Sequence, residues 1–187
     1  MKHIFVYNPT AGRSNRAVIE QLKEKMAADY ADLDYEFYPT KAPGDASIYV
    51  RTRCEEEPDT VFRFYACGGD GTANEVLHGL IGHENASMTC YPCGSGNDFV
   101  KYYGGADKFL DVDALIAATE ETRRAFLQQQ LGRTEPVLFE QEAAKNVWEG
   151  YTANYTPVHM ASRENLSGKI LPVHLESCAG DFCMGTL

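Results

Sequence analysis

Three glycines within four residues open the stretch with the clearest chemical use, Cys67 to Leu80, C-G-G-D-G-T-A-N-E-V-L-H-G-L. Gly68, Gly69 and Gly71 free the backbone to take positive φ and to bring N–H groups close to an anion. Helical spacing follows at once at Val76, Leu77, Leu80 and Ile81, so the glycines lead into a helix start with unpaired donors and the positive end of its dipole. Asp70 sits among the glycines, where a carboxylate meets a metal ion or a ligand hydroxyl. Thr72 and Asn74 lie on the first turn, and Glu75 is placed either to orient the loop or to approach the metal.

Strand, glycine turn and helix must be in that order for such a site, and the order recurs along the chain. Lys2 to Tyr7 alternates and then runs apolar, and leads into Asn8-Pro9-Thr10-Ala11-Gly12-Arg13. Ser14 is placed to cap the helix that carries Val18, Ile19, Leu22 and Met26 on one stripe. Tyr35 to Tyr38 leads to Thr40 and a helix over Asp45 to Cys54. The apolar run from Val61 to Ala66 leads to the glycine stretch. Met88 to Tyr91 leads to Pro92-Cys93-Gly94-Ser95-Gly96-Asn97-Asp98-Phe99 and a short helix. Four strand-to-helix alternations with short connections predict an α/β fold, a parallel sheet wrapped by helices. Such sheets bind ligands at the carboxyl ends of their strands, so all four turns converge on one crevice. The G-x-x-x-x-G-K-[ST] pattern is absent, which excludes a Walker-type loop.

The pattern changes near Asp111, where one long helix is predicted to Leu131 with Asp113 as its cap. Strand-like runs follow at Pro136 to Glu140, Trp148 to Thr152, Pro157 to Met160 and Lys169 to Glu176. The expected organisation is therefore an α/β domain over residues 1–121, a connecting helix over 122–131, a small all-β, barrel-like module over 132–178, and a loose tail over 179–187.

The formal charge of -10 on 187 residues is uneven: residues 1–121 hold 11 Lys/Arg against 20 Asp/Glu, and residues 122–187 hold 6 against 7. Such a balance argues against nonspecific nucleic-acid or anionic-membrane binding, so any contact of that kind must be local. The apolar run at the start is too short for a signal peptide and no stretch reaches the length of a membrane span, which points to the cytoplasm. Six cysteines show no secreted-type framework and are read as packing thiols, Cys90 and Cys93 with their C-x-x-C spacing included.

Residues 1–121 resemble the catalytic domain of the diacylglycerol kinase, sphingosine kinase and bacterial lipid kinase family, whose fold is related to NAD kinases. The resemblance rests on Asn8-Pro9 with Gly12, on G-G-D-G-T-A-N-E-V-L-H-G-L, which is highly specific, and on P-C-G-S-G-N-D-F. It implies ATP as ligand, with its phosphates over Gly68, Gly69, Asp70, Gly71, Thr72 and Asn74, and with Asn8, Thr40 and Ser95 lining the nucleotide. Pro9, Gly12, Glu75, Gly94, Asn97 and Asp98 complete the expected cofactor-binding set, with Mg²⁺ near Asp70 and Asp98. The implied acceptor is a diacylglycerol-like lipid at a membrane surface, hence peripheral membrane association. Members of this family carry a second, β-rich domain that binds lipid and supplies the general base. No later segment here matches it, so no catalytic base is assigned.

From Arg123 to Ser177 the chain resembles a different family. R-R-A-F-L-Q-Q-Q-L-G-R-T-E-P-V-L-F-E, W-E-G-Y-T-A-N-Y-T-P-V and N-L-S-G-K-I-L-P-V-H-L-E-S are similar to the TRAM module of the radical-SAM tRNA methylthiotransferases. That resemblance implies a small β-barrel holding tRNA, with Arg133, Lys145, Arg163 and Lys169 toward phosphates and Trp148, Tyr151 and Tyr155 toward bases. The C-x-x-x-C-x-x-C cluster ligands are absent, which excludes methylthiotransfer. The change of lineage falls inside one helix, near residues 121–124, as a fusion of two gene fragments would leave it. Apolar surface that a second domain covers in the family implies self-association as a homo-oligomer.

Overall fold

Successive side chains of a strand face opposite sides, and in β3 (Phe62–Gly68) both sides are apolar. Phe62, Phe64 and Ala66 pack with Ile4 and Val6 of β1 (Lys2–Tyr7) and with Ala46, Val50 and Cys54 of α2 (Asp45–Glu56). Tyr65 and Cys67 face the other way, with Phe5 of β1 and with Ile19, Leu22 and Met26 of α1 (Arg13–Asp29). A strand buried on both faces needs helices on both, and the sheet is built that way. Its order is β2-β1-β3-β4, with β2 at Tyr35–Pro39 and β4 at Ala86–Pro92, and every pair is parallel. The computed structural model describes residues 1–10 and 13–187, and the side chains of all of these except Arg13, Ser14 and Asn15. The expected cap at Ser14 and the expected site residue Gly12 therefore lie outside the described residues.

From β1 the chain runs to β2 on one side and then to β3 on the other. The crevice at the carboxyl ends of β1 and β3 is thus the point where strand order reverses, where parallel α/β sheets hold ligands. The glycine stretch leaves β3 there and becomes α3 (Asp70–Leu80). That helix packs on α2 through Gly79, where an added Cβ would come within 2.7 Å of the Ser47 carbonyl oxygen and of Val50 Cβ.

Two compact units divide the chain, Met1–Ile116 and Ala117–Leu187. The division lies within α5 (Val112–Gln130), between Ile116 and Ala117, because Val112 and Ile116 belong to the core around Phe5 whereas Leu127 belongs to the core around Val137 and Phe139. The cap of α5 is Asp111, whose Oδ1 accepts the Ala114 amide at 3.1 Å. Asp113, expected in that role, accepts the Tyr30 hydroxyl at 2.7 Å and pairs with Lys25 at 3.0 Å.

The second unit is a β-sheet of β5 (Thr134–Ala144), β6 (Val147–Thr152), β7 (Pro157–Ala161), β8 (Ile170–Ala179) and β9 (Phe182–Thr186). Pairing runs β5-β6-β7-β9-β8 and returns from β8 to β5, with bulges in β5 and β8 to bend the sheet. The expected tail over 179–187 is corrected: Phe182–Thr186 is a strand, antiparallel to β8 and parallel to β7. Its sequence hides it, since Gly185 takes an inward position where a Cβ would lie 2.3 Å from Val173 Cγ1. Among the described residues no helix is long and apolar enough to cross a membrane.

The α2–α3 contact makes a prediction about two glycines of one helix. Gly79→Ala lowers stability by roughly 1–3 kcal/mol by overpacking, despite alanine's better helix propensity. Gly71→Ala, whose Cβ meets nothing within 4 Å, leaves stability unchanged or raises it. Urea denaturation of the two variants beside wild type checks this, and equal effects would contradict the packing account.

Candidate functional site

Parallel pairing of β3 with β4 sets Gly68 opposite Pro92, so the turns that leave the two strands start side by side. They then close on one another through Asp70. Its amide donates to the Gly96 carbonyl at 3.0 Å. Its carboxylate accepts the amides of Asp98 at 2.9 Å and Phe99 at 3.1 Å, the first residues of α4 (Asp98–Tyr102). A helix start has free amides and no side-chain cap of its own here, and Asp70 supplies the acceptor from the neighbouring loop. The same hydrogen bonds, from Asp98 first and Phe99 second, hold the Asp70 carboxyl below the usual aspartate range.

Contact this close requires glycine. A Cβ on Gly69 would lie 2.4 Å from the Gly96 carbonyl oxygen, and one on Gly94 would lie 2.3 Å from the Gly69 nitrogen, whereas one on Gly96 would meet only Asp70 Oδ2, at 3.7 Å. Asn97 ties its own loop by donating Nδ2–H to the Gly94 carbonyl at 2.8 Å. Its buried Oδ1 has no hydrogen-bond partner among the described residues, an acceptor left for a ligand hydroxyl or water.

Two adjoining cavities open over this bracket. One, of about 310 Å³, is lined by Asn8, Gly68 to Thr72 and Gly94 to Gly96. The other, of about 380 Å³, is lined by Asn8, Thr10, Thr40 to Pro43, Ala46, Gly71, Thr72 and Glu75. Asn8, Gly71 and Thr72 belong to both, so the two form one cleft along the reversal point. Asn8 Oδ1 accepts from the Thr10 amide at 2.9 Å and hydroxyl at 2.8 Å, which fixes the turn after β1. Asp45 shapes the turn after β2 by accepting the Lys41 amide at 2.8 Å and the Tyr38 hydroxyl at 2.9 Å. Glu75 Oε2 accepts the Ala46 amide at 3.3 Å, and the Glu75 carbonyl accepts the Ser47 hydroxyl at 2.7 Å. Glu75 thus joins the start of α2 to α3.

Of the expected cofactor-binding residues, Asn8, Thr40, Gly68, Gly69, Asp70, Gly71, Thr72, Glu75, Gly94 and Ser95 line the cleft. Pro9, Asn97 and Asp98 do not line it among the described contacts, and Asn74 lines a separate groove. Thr10, Lys41 and Gly96 line the cleft as well. Thr10 and Gly96 lay inside recognised turns, and Lys41 was the basic residue next to Thr40. No group of three or more Asp, Glu, His or Cys side chains that could hold a metal is found among the described residues. Asp98 Oδ1 pairs with Lys101 at 2.6 Å, and both side chains are exposed. One or two carboxylates suffice for Mg²⁺ that is held chiefly by phosphates and water; of the two expected, Asp70 lines the cleft and Asp98 does not.

The separate groove, of about 830 Å³, borders the cleft at Asp70 and Gly71 and is mostly apolar, with Leu77, Met88, Phe99, Tyr103 and Phe109 among its walls. The Phe99 and Tyr103 rings lie 5.2 Å apart between centroids, tilted by 52°. In the second unit Trp148 packs against the core around Phe139, Tyr151 donates its hydroxyl to Glu149, and Lys169 pairs with Glu164 at 3.6 Å. Trp148 is half-buried there.

The fold is thus a parallel α/β sheet with two interlocked glycine loops at its reversal point. The chain belongs to the diacylglycerol kinase catalytic domain family, whose profile matches residues 2–129. That match runs past residue 121, where the resemblance was expected to stop, into the segment read as TRAM-like. Over 96 residues the chain is 31% identical to a diacylglycerol kinase of Staphylococcus carnosus, covering 50% of this chain and 30% of that protein. Over 101 residues it is 33% identical to a diacylglycerol kinase of Bacillus subtilis, covering 53% and 32%. A solved structure of a Bacillus anthracis protein assigned as a diacylglycerol kinase aligns with TM-score 0.46 and 22% identity, over 79% of this chain and 46% of that one. The chain spans about a third of the length of the curated relatives it matches.

Two measurements test the bracket. The Asp98 and Phe99 amide proton shifts should titrate together, with an apparent pKa below the ordinary aspartate range, and Asp70→Asn should abolish that titration. If the two amides do not move with pH, Asp70 does not hold α4. Gly94→Ala should weaken binding of Mg-ATP at least tenfold while Gly96→Ala leaves it within about twofold, because only the first Cβ collides with backbone; calorimetric titration of both variants compares them.

Proposed function

We propose that this chain carries the nucleotide-binding half of an ATP-dependent lipid kinase, transferring the γ-phosphoryl of Mg-ATP to the hydroxyl of a diacylglycerol-like lipid. The observation that carries the reading is the interlock of Asp70 with Gly96, Asp98 and Phe99, which holds two glycine loops beside one cavity of about 310 Å³. The amides of Gly71 and Thr72 stand on the first turn of α3, beyond the reach of any intrahelical carbonyl, and are the donors for phosphate oxygens. Mg-ATP supplies the phosphoryl group together with the cation that offsets its charge. That cation is needed, since the described lining holds Asp70 and Glu75 against Lys41 alone. Asn8, Thr40 and Ser95 offer polar contacts along the cleft, and Glu75 keeps its α2 wall in place.

The acceptor's hydrocarbon is assigned to the apolar groove, which meets the phosphate space at Asp70 and Gly71. Asp70 is the one carboxylate among the described groove residues. Its lowered pKa makes it a weak base, so its part is to position the loops. Phosphoryl transfer depends chiefly on such positioning and on charge stabilisation.

A second reading, an RNA-binding protein acting through the C-terminal β module, is favoured by its strand pairing. A ring of five strands with the β7–β9 pair parallel is suited to the oligonucleotide-holding class of small Greek-key barrels. Salt-dependent binding of a tRNA anticodon stem-loop, lost in the double variant Arg133→Glu with Lys169→Glu, supports this reading; binding insensitive to both substitutions counts against it.

Incubation of the full chain with Mg-ATP and diacylglycerol in mixed micelles should yield phosphatidic acid. Phe99→Ser should raise the KM for the lipid several-fold with little change in ATP affinity. Clear ATP binding without product would reduce the proposal to a nucleotide-binding module, and a lipid KM indifferent to Phe99 would remove the groove from it.

A further inference from the structure

The turn that joins β8 to β9 contains two residues, Gly180 and Asp181, between the paired residues Ala179 and Phe182, with Gly180 at φ 64°. A two-residue hairpin loop with glycine first and φ positive twists as the flanking strands do. In such a hairpin the closing pair exchanges both backbone hydrogen bonds, so the next pair outward is non-hydrogen-bonded. There, directly opposed Cα atoms stand about 4.5 Å apart and side chains come closest. The residues at that next position are Cys178 and Cys183. A register shift between Leu175 and Ser177 turns Cys178 inward beside Cys183. The two sulfurs lie 3.9 Å apart, and neither is bonded to another cysteine. Opposed Cα atoms at that spacing lie within the range that a disulfide spans, so rotation of the side chains closes the gap without moving the strands.

We propose that Cys178 and Cys183 form a reversible dithiol–disulfide latch that sets how firmly β9 is held in the C-terminal sheet. Cys178 is half-buried and Cys183 is buried, which orders the steps. The Cys178 thiolate attacks one sulfur of a low-molecular-weight disulfide and releases the first thiolate, leaving a mixed disulfide on Cys178. Cys183 then gives up its proton to the thiolate released first and attacks the Cys178 sulfur, which releases the second thiolate to take up the proton that Cys178 had lost. Two protein thiols and one small disulfide thus become one protein disulfide and two small thiols; the two electrons pass to the small molecule, and excess small thiol reverses the exchange. Burial followed by the neighbouring Cys178 pushes the Cys183 thiol up to about 12, so Cys183 waits as a protonated thiol until the mixed disulfide forms.

The latch acts on the strand that pairs with both β7 and β8. It also reaches α5 within the same unit. In the dithiol form the Cys183 thiol is directed at the Leu127 carbonyl at 3.8 Å, and Arg123 holds the turn through the Asp181 carboxylate at 3.2 Å and its carbonyl at 3.0 Å. Oxidation removes the first of these contacts and keeps the second. Nothing in the phosphate cleft takes part, so the latch and the kinase reading stand or fall separately.

Equilibration of the full chain in buffers of graded glutathione disulfide to glutathione ratio, followed by acid quench, alkylation and peptide mapping, tests the latch. The C-terminal peptide should become two hydrogens lighter and lose alkylation at both cysteines, and an excess of glutathione should reverse both changes. Oxidation should also raise the melting midpoint of the second unit by roughly 5 °C or more. Cys183→Ser should trap glutathione on Cys178. Cys178→Ser, at the less buried position, should stay free of any disulfide in this peptide while keeping its wild-type circular dichroism. Full alkylation of both cysteines at the highest disulfide ratio, or linkage of either one to a different cysteine, would overturn the proposal.

Discussion

The contact on which the site depends is the carboxylate of Asp70 beneath the first amides of α4, answered by the Asp70 amide on the Gly96 carbonyl. Two loops that leave neighbouring parallel strands would otherwise be joined only by the strands behind them. α4 is five residues long and has no side-chain cap of its own, and helices so short depend on contacts outside themselves. The acceptor from the adjoining loop holds it there. Glycine at positions 69 and 94 is then a steric requirement, because the loops pass with backbone against backbone.

That arrangement determines what Asp70 can do. A carboxylate with both oxygens on amides, and a pKa drawn down by them, fixes geometry and is a poor proton acceptor. The opposite wall of the cleft is fixed by other means. Glu75 joins α3 to the first turn of α2, and Gly79 lets the two helices meet closely enough for that hydrogen bond to form. The cleft walls are therefore set by three features at right positions in one helix: Asp70 toward α4, Glu75 toward α2, and a glycine where the helices touch. The open first-turn amides lie between the two carboxylates, available to a phosphate.

Much of this was legible in the sequence because local rules and tertiary context agreed. Lys2 to Tyr7 is β1 as read, the strand-and-helix alternation gave the parallel sheet, and the glycine turns stand at its carboxyl ends. Direction of side chains was less legible. Asp111 and Asp113 are both acidic at one helix start, and only the fold shows that the second is engaged by Tyr30 and Lys25, from elsewhere in the chain. β9 is not legible as a strand because its pairing with β7 is long-range and glycine takes one of its inward positions. The Cys178–Cys183 contact was hidden by the register shift in β8, since strict alternation does not reveal which cysteine turns inward.

The most direct test of the central claim is a titration of the full chain with Mg-ATP, followed through its backbone amide resonances. Saturable shifts that are largest at Gly71 and Thr72, with smaller shifts from Gly94 to Phe99 as the bracketed loop responds, are the predicted result. Saturable binding whose shifts fall elsewhere and leave Gly68 to Thr72 unmoved would contradict the account.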